Sequence, residues 1–309
     1  MSDPEDTNSR SSLFSALGAY LGRCGRSVVA GAGILIGEFG ALTMDLSQAL
    51  LDWAGVGYLG EKFSAKSIKR DRELEGLDPN TYYVAVCGPA GSGKSSLLNA
   101  LRGLLNKDQG AARVGDTETT SKKQEYSAAA CFDDLCLVDF PGAGTQSVPA
   151  KGYFKANKLY CYDCILIICG ERFGELVLRQ IEIALVQACI VQRKRFAIVR
   201  SRSDETITRV EDDNGISFKE AKKIYIENQV RAITEELGRS FLPRRTVLEL
   251  LGFFVLVNKN TLRRMTTLPP HDWPRTISED EIHERKLLQF LGKADVTDEH
   301  VNPVPEKDE

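Results

Sequence analysis

Five short apolar runs punctuate the middle of the chain. Tyr82-Tyr-Val-Ala-Val-Cys87, Leu135-Cys-Leu-Val138, Ile165-Leu-Ile-Ile168, Phe196-Ala-Ile-Val199 and Phe253-Phe-Val-Leu-Val257 each read as a strand. Between them apolar residues recur at helical spacing, through Leu97, Leu98, Leu101 and Leu105 and again over 174–192 and 217–237. Strands that are apolar on both faces and alternate with helices predict an α/β fold, a mostly parallel sheet covered on both sides. One more helix is predicted over 278–291, opened by the cap-like Ser278-Glu-Asp-Glu281. Residues 66–79 are charged and read as a linker or an exposed helix end.

The ends of the chain differ from this middle. Residues 1–11 are polar and 296–309 are charged and contain prolines, so both are expected to be disordered. Residues 12–79 form an N-terminal region of loosely helical pattern, 80–260 the α/β domain and 261–295 a C-terminal helical segment. Ser27 to Met44 is apolar except for Glu38 and contains Gly33-Ile-Leu-Ile-Gly37. A carboxylate near the middle of a membrane span costs about 2.5–3.5 kcal/mol. A buried helix therefore fits this stretch better than a span, with insertion at a membrane interface as the other reading.

Composition narrows the class. A formal charge of −3 over 309 residues gives no basic face for nucleic acid. The N-terminus carries neither a secretory signal nor a transit-peptide pattern, and Ser2 excludes N-myristoylation. Several of the 8 cysteines fall inside apolar runs, where a free thiol acts as a small hydrophobe. Cys161 and Cys164 form one CxxC without a second ligand pair, so core filling is expected rather than zinc. The three histidines, His271, His283 and His300, lack metal spacing. A reduced, cytoplasmic setting fits this usage.

The chemistry concentrates at Gly88-Pro-Ala-Gly-Ser-Gly-Lys-Ser95, a match to GxxxxGK[ST] between a strand and a helix. Glycines let such a loop wrap and turn its N–H groups inward, and the following helix adds its positive end. Gly88, Ala90, Gly91, Ser92, Gly93, Lys94, Ser95 and Ser96 are thus nucleotide-binding candidates, with Lys94 on the β and γ phosphates and the Ser95 hydroxyl on Mg2+. Asp139 ends the next strand in Asp139-Phe-Pro-Gly142. It is placed to hold magnesium through water, and Gly142 to offer its N–H to the γ-phosphate. Thr119 and Thr120 are both candidates to cap the metal when the γ-phosphate is present.

Base choice is read from Arg200-Ser-Arg-Ser-Asp204, where GTPases usually place [NT]KxD. Asp204 is the acceptor for the guanine N1–H and amino group, and Arg202 can stack on the base as Lys does. Val257-Asn258 is the place where a backbone N–H would meet the base oxygen. These readings make a GTP-hydrolysing protein the first expectation. A P-loop enzyme using ATP, and a nucleotide-binding scaffold without useful turnover, are the alternatives.

With these pieces the chain resembles the immunity-related, interferon-inducible GTPases. The carriers are the P-loop with Ser96-Leu-Leu-Asn-Ala-Leu-Arg-Gly103, then Gly110-Ala-Ala and Glu118-Thr-Thr120, Asp139-Phe-Pro-Gly-Ala-Gly144, the run from Tyr162, Val199-Arg-Ser-Arg-Ser-Asp204 and Val257-Asn-Lys-Asn260. The resemblance covers about residues 80–260 and implies a Ras-like G domain beside a helical domain. It also implies GTP hydrolysis on GTP-dependent dimerisation or oligomerisation, and innate-immune work at intracellular membranes. The family usually carries a long helical C-terminal region, whereas 261–309 is short. The helical domain is therefore expected to be reduced or drawn mainly from residues 12–75.

Overall fold

A computed structural model describes residues 62–115, 122–129, 132, 134–142, 152–169, 180–239, 253–268, 272–273 and 279–292. Six strands form one sheet: β1 (Tyr82–Cys87), β2 (Gln124–Ser127), β3 (Leu135–Asp139), β4 (Cys164–Cys169), β5 (Arg195–Arg200) and β6 (Phe254–Leu256). Their order is β2-β3-β1-β4-β5-β6. β3, β1, β4, β5 and β6 run parallel, and β2 pairs antiparallel with β3 at the edge.

The five parallel strands are the five predicted apolar runs, and their alternation explains why. Ala85, Cys87, Ile165, Ile167 and Ile198 face one apolar cluster, and Val84, Val86, Leu166, Ile168 and Val199 the other. Each strand is thus buried on both sides and can carry no polar face. On the second side lie α2 (Lys94–Leu101), α7 (Lys259–Thr266) and α8 (Glu284–Gly292), through Leu97, Leu98, Leu262, Leu287 and Leu288. On the first lie α3 (Tyr153–Ala156), α4 (Gln180–Val191), α5 (Ser203–Asn214) and α6 (Phe218–Arg239). Cys87, Cys161, Cys164, Cys169 and Cys189 are buried free thiols in this core. Burial pushes the Cys87, Cys161, Cys164 and Cys189 thiols clearly above the ordinary range, which suits core filling.

Three local differences from the sequence expectations have physical reasons. The polar Gln124-Glu-Tyr-Ser127 becomes a strand because the β3 edge offers a hydrogen-bonding partner, not because it has an apolar face. The first P-loop helix stops at Leu101, not Leu105, because Gly103 turns left-handed and the Leu104 N–H returns to the Asn99 carbonyl. The last helix starts at Glu284, not 278. Asp280 is engaged by the Thr261 hydroxyl, and the Glu279 and Glu281 carbonyls by Lys222.

The charged stretch after residue 64 is α1 (Ala65–Leu74), a helix fastened by polar contacts rather than by an apolar stripe. Ser64 caps it by accepting from the Ser67 N–H. Arg72 donates to Asp163 at 2.8 Å and to the Cys161 carbonyl, and the Tyr160 hydroxyl donates to Asp71 at 2.9 Å. Just past its end, Glu75 accepts from Lys123 and Lys158, which hold its carboxyl below the usual range. Residues 27–44 and the expected disordered ends lie outside the described residues.

Candidate nucleotide site

The site forms where β1, β3, β5 and β6 end, at the carboxyl edge of the parallel sheet. Gly88 leaves β1 at φ +147°, where a β-carbon would overlap the Ile168 carbonyl of the neighbouring strand. Gly91 and Gly93 are left-handed, and Gly93 hands the chain into α2 without a side-chain cap. The N–H groups of the first helical turn are thereby left to whatever the loop encloses. Lys94 is buried, and its ammonium donates to the Pro89 carbonyl at 2.9 Å, folding it back across the loop.

Ser95 and Asp139 are brought together at the loop. The Ser95 hydroxyl donates to the Asp139 carboxylate at 3.0 Å, and both groups are buried. Two hard oxygen donors beside a phosphate loop are the donor set a magnesium ion takes, so the residues fit that metal. Gly142 is set tightly against the loop. A β-carbon there would come 2.8 Å from the Ala90 Cα, so only glycine fits. Thr119 and Thr120 lie outside the described residues. Among the described residues no cluster of three or more His, Cys, Asp or Glu side chains is arranged to hold a metal.

The base end is built from two loops joined to each other and to the P-loop. Ser201, which stands where Asn or Thr is usual, donates its hydroxyl to the Ser92 carbonyl at 2.8 Å. That bond supplies the tie between base loop and phosphate loop that a threonine hydroxyl would make, and it explains why serine is accepted. It also leaves no room at Gly93, where a β-carbon would be 2.9 Å from the Ser201 Oγ. Arg202 is exposed and left-handed at the N-cap of α5. Asp204 follows in the first turn. Its Oδ1 is buried and has no hydrogen-bond partner among the described residues, and desolvation raises its carboxyl above the ordinary range. The Asp204 and Glu205 N–H groups act on the same carboxylate, which leaves Oδ1 as an acceptor of the kind that the two donors on a guanine edge would meet.

Val257 and Asn258 are close by, because the Ser203 N–H donates to the Val257 carbonyl at 3.3 Å. Their own N–H groups are engaged within the protein. Val257 donates to the Arg200 carbonyl at 3.0 Å, and Asn258 to the Glu284 carboxylate at 2.5 Å. The Asn258 side chain caps α7, accepting from Asn260 and Thr261.

Several supporting residues gave no motif signal. Arg200 is fully buried and donates to the Tyr225 hydroxyl at 3.0 Å, which in turn lies 3.3 Å from the Ser203 hydroxyl. Asn99 exchanges two bonds with Ala112 and so fixes the segment leading away from the phosphate loop. An arginine in a strand and an asparagine in a helix are visible in sequence. Their partners, at separations of 25 and 13 residues, are not.

The chain is similar to several known proteins. The chain is 34% identical to interferon-inducible GTPase 1 of Mus musculus over 149 residues, 48% of this chain and 35% of that protein. It is 37% identical to interferon-inducible GTPase 5 of Rattus norvegicus over 157 residues, 50% of this chain and 33% of that one. The matched stretch thus spans about a third of the length of these relatives. Among solved structures, Toc33 of Arabidopsis thaliana is similar at a TM-score of 0.44 and 15% identity, over 79% of this chain and 97% of that one. The family model described as interferon-inducible GTPase (IIGP) matches residues 63–247, more than half of the chain. That stretch holds the phosphate loop, the Ser95–Asp139 pair and the Asp204 loop, and the chain belongs to the interferon-inducible GTPase family.

Proposed function

We propose that the chain binds GTP and GDP with magnesium and hydrolyses GTP to GDP and phosphate. The observation that carries this reading is the buried Asp204 oxygen without a partner, fastened through Ser201 to a magnesium-compatible phosphate loop. An adenine offers its acceptor N1 where guanine offers N–H, so Asp204 would face a repulsive match with ATP. The N–H groups of the Gly88–Ser95 loop cradle the phosphates, and Lys94 shifts from the Pro89 carbonyl to the β and γ oxygens. Ser95 and Asp139 would hold the magnesium, with Thr119 or Thr120 as a further ligand. When bound there, the ion would supply positive charge to offset that of the transferred phosphoryl group. Gly142 brings its backbone against the γ-phosphate position.

Ala143 follows Gly142, where many GTPases carry a water-orienting glutamine. Unaided turnover is therefore expected near ~10⁻⁴–10⁻³ s⁻¹. We infer that a second copy supplies the missing stabilisation across a GTP-dependent dimer or oligomer. Arg113, which is exposed, is a candidate donor. No helix among the described residues is long and apolar enough to cross a membrane. Contact with an intracellular membrane surface, if made through residues 27–44, would be peripheral, in keeping with a cytoplasmic innate-immune GTPase. The test is GTP turnover per monomer over a hundredfold range of protein concentration. Rising specific activity with GTP-dependent association supports the reading. Flat, negligible turnover by a monomer leaves a nucleotide-binding scaffold, the reading the Ala143 position favours.

A further inference from the structure

The Asn258 N–H at the base end is held by a side chain from a distant part of the chain. It lies beside Asp204, since Ser203 and Val257 are hydrogen-bonded and the Lys259 ammonium acts on the Asp204 carboxylate. Its acceptor, Glu284, comes from the far side of a 26-residue separation and is fully buried. One oxygen of that carboxylate takes the Asn258 N–H and the other takes the Ile282 N–H, both at 2.5 Å. The segment around Glu284 is further latched to the same loop. The Thr261 hydroxyl and Arg264 both donate to Asp280, and His283 exchanges hydrogen bonds with the Leu256 backbone.

A carboxylate in this position is not a neutral support. It meets no cationic side chain in the bonds it makes, and burial pushes its carboxyl up to about 7, with Glu281 adding to the rise. The Asn258 and Ile282 N–H groups work against that rise by holding the ionised form, and an incoming acceptor would contest the first of them. A purine 6-oxygen entering beside Asp204 needs an N–H donor at this end of the sheet. The Val257 N–H is committed to the β5–β6 ladder through Arg200.

Resting on the guanine reading above, we propose that Glu284 is a specificity-determining residue. It competes with the 6-oxygen of a bound guanine for the Asn258 N–H, so that base recognition loosens the hold of the C-terminal segment on the base loop. Guanine nucleotide affinity and the attachment of α8 are then reciprocally linked.

The test compares GDP with 6-thio-GDP, which keeps both donors for Asp204 but carries a weak sulfur acceptor at position 6. Calorimetric affinities are measured on the full chain for wild type and Glu284→Gln, which preserves volume while weakening the acceptor. The ratio of GDP to 6-thio-GDP affinity is expected to rise roughly three- to tenfold in the variant, through tighter GDP binding. A ratio that is unchanged or falls overturns the competition. Should the variant fail to fold, amide exchange of wild type decides. The Ile282 N–H should exchange faster with GDP bound than with 6-thio-GDP, and equal protection in the two complexes overturns the inference. Equal wild-type affinity for GDP and ADP removes the guanine reading and this inference together. A clear GDP preference with an unmoved ratio removes the inference alone.

Discussion

The two ends of the site are made by different means. The phosphate end is local: eight consecutive residues, three of them glycines in unusual backbone conformations, plus Asp139 and Gly142 from one neighbouring strand end. Its binding groups are mostly main chain, which any sequence that folds into this loop supplies. The base end is assembled from Ser92, Ser201–Asp204, Val257–Asn258 and Glu284, and it is held by side chains. A backbone-built site tolerates little substitution at its glycines. A side-chain-built site can be rewritten, as Ser201 and Arg202 are here, provided the hydrogen bonds are made again.

The largest effect should fall at the phosphate end. Lys94→Ala removes a charge-assisted contact to the phosphates and should abolish GTP turnover while lowering nucleotide affinity by about 10–100-fold. Wild-type turnover in that variant would contradict the phosphate assignment. At the base end Asp204→Asn should lower GDP affinity on the order of a hundredfold and turn preference toward xanthosine diphosphate. Competition binding with the two diphosphates reads this, and an unaltered preference would detach Asp204 from the base.

Ser201→Ala tests whether the two ends are coupled. It deletes the bond to the Ser92 carbonyl and should cost about 1 kcal/mol in stability. If the loops act together, nucleotide affinity should also fall several-fold, although Ser201 itself is expected to touch no nucleotide. A stability loss without an affinity loss would show that the ends are independent.

The smallest effect concerns pH. Burial, with Lys286 and Lys222, lowers His283 to about 4, and burial raises its neighbour Glu284 to about 7. From pH 4 to 6.5 the unfolded histidine binds a proton that the folded one does not, so this group makes stability rise with pH. From pH 4.5 to 7 the folded glutamate keeps a proton that the unfolded one has lost, so this group makes stability fall with pH. The two oppose each other between 4.5 and 6.5. Glu284→Gln should expose the histidine slope, below about 1 kcal/mol per pH unit after partial solvation. Denaturation midpoints of wild type and variant across that range check it, and parallel curves would contradict the opposition.

The same contrast explains what the sequence disclosed. Tyr82–Cys87 and Cys164–Cys169 were legible because burial on both faces forces an unbroken apolar run. The Gly88–Ser95 loop was legible because its chemistry lies in adjacent residues. Strand Gln124–Ser127 was hidden because its only qualification is a hydrogen-bonding edge. Asp139 could be placed from its strand end together with the phosphate loop upstream of it. Arg200–Tyr225, Asn99–Ala112 and Asn258–Glu284 could not, since each is a pairing across the chain that no local pattern encodes. Glu284 in particular reads as an ordinary charged position inside the predicted 278–291 helix until its Asn258 partner is seen.

The central claim is that this site selects a guanine nucleotide. Calorimetric titration of the full chain with GDP and with ADP, each with magnesium, tests it directly. The account predicts GDP binding at least about a hundredfold tighter, because a buried acceptor meets two donors on one base and none in that arrangement on the other. Equal affinities for GDP and ADP would contradict it and return the phosphate loop to the wider class of ATP-using proteins.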